Sequence, residues 1–354
     1  KVVTVAGNGG VPASGASAVV VNVTAANPTQ SSYLTVFPDG GTKPVASALN
    51  FHAGTNVPNL VTVALPQDGK IDVYNAFGTV DLLVDVEGYY GPDTAGTGLY
   101  NGLSPKRICD TRASQPQNQC TGHAPGEDGT MQVTVEGQGG VPNSGVAAVV
   151  LNVTAIGSQV PGYLTVYPYG TTPPSASNVN YQTGEVVPNR VMVPLGKGGM
   201  IAIYSGNGDP NVAVDVSGWF TDSSNTSATG ALFTAAPTPI RICDTRASQL
   251  QNQCTGKAVN PAIILAVTAP GHGGVPTDAT AVVLNVTVAN ESADGYLTIF
   301  PGGSRLPVAS DLNFTPGDAV ANMVVATLGT GGQFDAYVSA GRTDVIVDLV
   351  GWYS

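Results

Sequence analysis

The stretch Arg107 to Gly122, RICDTRASQPQNQCTG, recurs as Arg241 to Gly256, RICDTRASQLQNQCTG, and the two copies differ only at Pro116 and Leu250. In the first copy Asp110, Thr111, Arg112, Gln117 and Asn118 bring a carboxylate, a hydroxyl, a guanidinium and two amides together. Asp244, Thr245, Arg246, Gln251 and Asn252 repeat the set in the second. Such a loop could hold a polar ligand through charge-assisted hydrogen bonds. The same residues also admit a structural reading. Asp85, Asp215 and Asp348 occupy matching places in three related segments; in VDLLVDVEG the residues Val80, Leu82, Val84 and Val86 alternate onto one face, and Asp85 shares the other with Leu83. A carboxylate on a partly apolar face needs a partner, because burying it unpaired is costly. The planar arginine fork suits it. Arg112 or Arg107 is therefore expected to pair with Asp215, and Arg246 or Arg241 with Asp348. Satisfied charge pairs are the commoner reason for such arrangements, so the loop is read first as a lid on the second face of a β-sandwich, and second as a binding loop.

The four cysteines fall as two local pairs, Cys109 with Cys120 and Cys243 with Cys254. Even numbers at repeated spacing indicate two disulfides that pin the lid, in an oxidising compartment. A zinc site would want closer pairs or a nearby histidine. His52, His123 and His272 fall out of register and have no repeated serine or aspartate partners, so no nucleophile with its base is assembled by spacing. The glycines of GNGGVP, GQGGVP and GHGGVP mark turns, since no helix follows them. Calcium at Asp81 and Glu87 is unsupported, because the matching places in the next repeat are read as Ala213 and Ser217, with Asn211 nearby, and a hard cation wants several oxygen ligands. No catalytic residue, metal or cofactor is implied. Aromatics are the remaining candidates: Tyr89, Trp219 and Trp352 end the three last strands, with Tyr90, Phe220 and Tyr353 beside them. One of each pair should face outward, where it could stack on a sugar.

These residues are set in a threefold repeat. AVVVNVTA at Ala18 returns at Ala148 and Ala281, and YLTVFP at Tyr33 returns at Tyr163 and Tyr296. Period-two alternation, as in Val19, Val21 and Val23, gives about seven short strands per repeat. Turn residues separate them, so tandem antiparallel β-sandwich modules are expected, a small barrel being the alternative. The modules span residues 1–91, 98–221 and 231–354. Polar Gly, Ser and Thr stretches from Gly91 and from Thr221 read as linkers between separate beads. The first module carries no copy of the RICDTR segment and contains no arginine, so its Asp85 has no partner of its own and its second face should be bare. An incomplete sandwich of this kind invites a segment from a neighbour.

Composition narrows the function classes. Only 10% of the 354 residues are charged, and the net charge of −11 comes with no basic run, which argues against nucleic acid and anionic membranes as partners. No apolar run approaches the length of a membrane helix. No signal peptide opens the sequence, so an exported protein would be represented here by its mature form or an excised piece.

LSPKRICDTR, NVTAIGSQVPGYLTVYP, SASNVNY and VAVDVSGWF together resemble a module repeated in secreted and surface proteins of actinobacteria and related Gram-positive bacteria, over essentially the whole chain. The resemblance implies an extracellular or cell-surface location and modular use, in arrays or beside cell-wall hydrolases, but no chemistry. A non-enzymatic structural or surface protein is the expectation, self-assembling or joining another surface protein through the uncapped first module. A carbohydrate-binding or adhesion protein contacting cell-wall or extracellular glycan, and an accessory array of a hydrolase, are the alternatives.

Overall fold

The computed structural model describes residues 1–92, 97–225, 229–249, 251–261 and 263–354. The described residues form 23 strands and no α-helix; one short 3₁₀ turn lies at Thr330–Gly332. In module one the strands are β1 (Val2–Thr4), β2 (Ala18–Ala26), β3 (Ser32–Pro38), β4 (Leu49–Phe51), β5 (Val57–Ala64), β6 (Lys70–Asn75) and β7 (Asp81–Tyr90). Module two runs β8 (Tyr100–Asp110), β9 (Thr130–Thr134), β10 (Val146–Ile156), β11 (Gly162–Pro168), β12 (Val179–Tyr181), β13 (Val186–Pro194), β14 (Met200–Gly206) and β15 (Asn211–Thr221). Module three runs β16 (Phe233–Asp244), β17 (Ile264–Thr268), β18 (Ala281–Ala289), β19 (Gly295–Pro301), β20 (Leu312–Phe314), β21 (Val320–Thr327), β22 (Gln333–Val338) and β23 (Asp344–Tyr353).

Each module is a sandwich of two antiparallel sheets. One sheet has the order β1-β6-β3-β4, β12-β11-β14-β9 or β17-β22-β19-β20. The other is β13-β10-β15-β8 in module two and β16-β23-β18-β21 in module three, but only β5-β2-β7 in module one. Alternation drives the packing: Val19, Val21 and Val23 of β2 are fully buried and meet Leu34, Leu49 and Ile71 of the facing sheet. The second-face residues Val20, Asn22 and Thr24 are buried too, so β2 is covered on both sides.

The Arg-Cys segment is the missing strand. It does not lie over a face as a lid; β8 and β16 are 11 and 12 residues long and pair antiparallel with β15 and β23 at the sheet edge. Pairing jumps from Gly102 to Lys106 and from Ala235 to Ile240, passing over Pro105 in the first case and Pro237 and Pro239 in the second. Proline has no N–H to donate, and an edge strand with an irregular stretch tolerates it. The bare part of module one is correspondingly an edge rather than a face, the free side of β7. There Val84 and Val86 are only partly buried, whereas Val214 and Val216 at the matching places are fully buried behind Ile108 and Cys109.

The chain divides into two compact units. One joins modules one and three, and the other comprises Asp93–Leu232 with Pro307–Ala309. Modules one and three are therefore not independent beads. Asn59 Nδ2 donates to Asn285 Oδ1 at 3.1 Å, Met323 N donates to Asn59 Oδ1 at 3.2 Å, and Asn285 Nδ2 donates to the Ser47 carbonyl at 2.6 Å. His52 Nε2 meets Asp318 at 2.8 Å, and the Tyr90 ring stacks on Phe233 with centroids 4.1 Å apart. A partly open cavity of about 20 Å³ lies at the seam among Leu60, Thr62, Met323 and Val350, room for a single water. Of the two linker stretches, residues 93–96 and 226–228 lie outside the described residues.

Candidate functional site

At the end of β8 the charges form a closed chain. Arg107 sits directly across from Asp215 in the ladder. Its Nε and Nη2 donate to Asp215 Oδ1 and Oδ2, both at 2.8 Å, and its Nη1 donates to Asp110 Oδ2 at 2.8 Å. Arg112 turns away from Asp215. It clamps Asp110 through Nε at 3.0 Å, Nη2 at 2.7 Å and its backbone N–H at 3.1 Å. Module three repeats this: Arg241 grips Asp348 at 2.9 and 3.0 Å and Asp244 at 3.2 Å, while Arg246 clamps Asp244 at 2.9 and 2.6 Å. Strand position explains the division of labour. Arg107 and Arg241 lie on the strand, opposite the aspartate, whereas Arg112 and Arg246 lie past its end, where a turn folds them back two residues.

The rest of the loop is spent in the same way. Asn118 Oδ1 accepts from Asp110 N and Cys120 N at 3.0 and 2.9 Å, and Asn118 Nδ2 donates to the Asp110 carbonyl at 3.0 Å. Asn252 does the same for Asp244 and Cys254. Thr111 Oγ1 donates to Asn211 Oδ1 at 2.9 Å and accepts from Val212 N at 2.9 Å. Thr245 bonds Asp344 and Val345 likewise, at 3.0 and 2.8 Å. Cys109–Cys120 and Cys243–Cys254 are disulfides. Gln117 and Gln251 are exposed. The neighbouring glutamines do the anchoring instead: Gln119 Nε2 donates to the Ile108 and Thr134 carbonyls at 3.0 and 2.8 Å, and Gln253 matches it. The recurrence of NQC in both copies is the sequence signal for this pair.

Asp110 has a 2% exposed side chain, and each of its oxygens accepts two hydrogen bonds. No acceptor is left for a ligand, so the carboxylate of the loop works as a structural tie. Burial pushes the Asp110 and Asp244 carboxyls up, but hydrogen bonds from Arg112 and Arg246, and the arginine charges, bring them below the ordinary aspartate range. A folded-state value below the unfolded one gives stability that is present above the unfolded value and lost as pH falls through the folded one. Acidification below about pH 4 is therefore expected to loosen the loop. Reduction of Cys109–Cys120 by a phosphine should speed up there relative to the free oxidised peptide of residues 107–122. Equal ratios at pH 5 and pH 2.5 would remove the aspartate from this role.

The sheet carries a polar row inward from Arg107: Asp215 faces Asn152, and Asn152 faces Arg190. Arg190 is 1% exposed and Nη1 donates to Ser217 Oγ at 3.2 Å. It stands where the other modules have Leu60 and Met323, an odd arginine in an otherwise apolar strand position that the sequence displays openly.

The terminal aromatics differ from the expectation of an outward platform. Trp219 is 8% exposed and belongs to the core, and Trp352 packs against the core of module three. A β-bulge supplies the reason: the ladder partner changes from Gly218 opposite Val150 to Val216 opposite Leu151, so the extra residue Ser217 turns Trp219 inward. The edge strand then covers it, Trp219 facing Asn101 and Trp352 facing Thr234. Tyr89 has the same bulge but no edge strand, and stays 48% exposed.

No family model and no curated protein matches this chain. Among solved structures it is similar to the triple jelly roll protein described in "The Triple Jelly Roll Fold and Turret Assembly in an Archaeal Virus", at 8% identity and TM-score 0.18, over 96% of this chain and 79% of that one. It is also similar to the N-terminal CBM22-1-CBM22-2 tandem domain from Paenibacillus barcinonensis Xyn10C, at 10% identity and TM-score 0.17, over 75% of this chain and 99% of that one.

Proposed function

We propose that this chain is a non-enzymatic structural protein of the extracellular or cell-surface compartment, of the kind its actinobacterial resemblance implies. Its β-modules serve as stiff building blocks, and it joins a larger assembly through module one. The observation that carries the reading is the use made of the repeated polar residues. Arginine, aspartate, threonine, asparagine and cystine of the RICDTR segment all close on one another or on the adjacent strand, which stiffens a module. Two disulfides fit an oxidising compartment. The seam between modules one and three, with its buried amide pairs, fits a protein that bears load rather than one that opens around a substrate. A glycan platform, the alternative, retains Tyr89 as its half-exposed ring.

Assembly is expected to appear as regular higher-order particles in negative-stain electron microscopy. Sedimentation of the oxidised chain should shift with concentration. A chain that stays monomeric at its highest soluble concentration, alone and with its cell-surface extract, would contradict the reading.

A further inference from the structure

We propose that Glu291 is a proton-operated latch in module three: neutral, it stays packed in the turn that joins β18 to β19, and ionised, it leaves that turn and frees the ties the turn makes to the start of β23. The device is independent of what the protein assembles with.

Position marks the residue out first. Glu291 stands where module one has Pro28 and module two has Ser158, at the same spacing after Asn285, Asn22 and Asn152. All three are buried. Pro28 has no polar side-chain atom to satisfy, and Ser158 Oγ donates to the Val160 carbonyl at 2.7 Å. Glu291 is 6% exposed, and among the described residues no neighbour gives either carboxylate oxygen a hydrogen bond. A buried carboxylate without a donor disfavours its own charge, so this turn is matched to the neutral acid.

The groups around it act in the same direction. The loop between β20 and β21 contributes Asp318, whose Oδ1 meets His52 Nε2 of module one at 2.8 Å and whose Oδ2 accepts from Thr315 at 2.7 Å. Strand β23 contributes Asp344, which accepts from Thr245 at 3.0 Å and from Asn290 at 2.9 Å. Both carboxylates are engaged as acceptors, and their charges oppose a third. Arg342, just before β23, bonds Ser292 through its backbone N–H at 2.6 Å and its carbonyl at 3.0 Å. It is exposed, as is Asp294 on the turn itself. Burial first, and then the charges of Asp318 and Asp344, push the Glu291 carboxyl up to about 7, against the pull of its own backbone N–H.

A folded value above the ordinary glutamate value of about 4.3 gives stability that is full below that pH and is lost as pH rises through about 7. The Asp110 and Asp244 loops behave the other way and loosen in acid. Opening the turn releases Asn290 from Asp344 and Ser292 from Arg342. Through Asp344 it also weakens the hold on Thr245, just past the opening strand β16.

The test follows hydrogen exchange in the full chain from about pH 5.5 to about pH 8.5, each rate divided by the intrinsic rate of an unstructured peptide at that pH. Protection of residues 289–294 and 342–345 is expected to fall at least tenfold, with its midpoint near pH 7. In Glu291→Gln it should change less than twofold. Glu291→Ser, which installs the residue of module two, should be equally flat, so the outcome is readable even if the glutamine variant folds poorly. A turn equally protected across the range, a fall that persists in both variants, or a fall centred on residues 157–162 of module two would overturn the inference.

Discussion

Asp215→Ala is expected to cost module two about 3 kcal/mol, at the lower end of the roughly 3–5 kcal/mol seen when one partner of a buried pair is removed. The low end applies because Arg107 is 20% exposed and keeps Asp110 as a second partner. Asp348→Ala should do the same to module three, where the aspartate side chain is 1% exposed. Asp85→Ala provides the contrast. No ion pair or hydrogen bond holds its carboxylate among the described residues, and desolvation already disfavours its charge, so the change should fall within about 0.5 kcal/mol or stabilise slightly. The two tryptophans make this readable, one in module two and one in module three. Urea unfolding of Asp215→Ala in a Trp352→Phe background follows Trp219 alone, and Asp348→Ala and Asp85→Ala in a Trp219→Phe background follow Trp352, the reporter of the compact unit that joins modules one and three. Equal losses at all three aspartates would show that the arginine fork contributes nothing.

Removing a disulfide is the second large effect. The cysteines of each bridge are 11 positions apart, and closing a loop of that size lowers the entropy of the unfolded chain by about 3 kcal/mol in the chain-entropy model. Paired Cys109→Ala and Cys120→Ala changes should therefore weaken module two by about that amount, with the Trp219 signal shifted to lower urea and the Trp352 signal unmoved. The loss should concentrate in the opening strand. Cys109 is fully buried beside Ile108 at the core edge, and Asn118, which caps the loop, accepts from Asp110 N and Cys120 N and donates to the Asp110 carbonyl. Hydrogen exchange that quickens evenly over module two rather than along residues 100–122 would count against a local pin.

Much of this was legible in the sequence because period-two alternation is a direct record of which side of a sheet a residue faces. Val19, Val21 and Val23 declare an inner face, and Asn22 declares the other. The aspartate in register with no arginine in module one was equally open to inspection. Three features were not. The opening segment reads as a loop, since Pro105, Pro237 and Pro239 interrupt its alternation, and only the ladder reveals that pairing resumes beyond them. Arg107 and Arg112 look alike in sequence; the strand end between them decides that one reaches across the sheet and the other folds back. The inward turn of Trp219 depends on a single bulged residue, Ser217, and a one-residue slip reverses every later side chain. The correction from lid to edge strand changes what module one offers: a strand edge with defined register in place of a broad apolar surface.

Hydrogen exchange along the three last strands tests the central claim, that the arginine fork ties the opening strand to its neighbour, most directly. Residues 212–220 of β15 and 345–353 of β23, which edge strands cover, should exchange more slowly than residues 82–90 of β7. Asp215→Ala should quicken 212–220 toward the β7 rate and leave 345–353 unmoved. Equal rates in all three strands, or a β15 indifferent to Asp215→Ala, would contradict it.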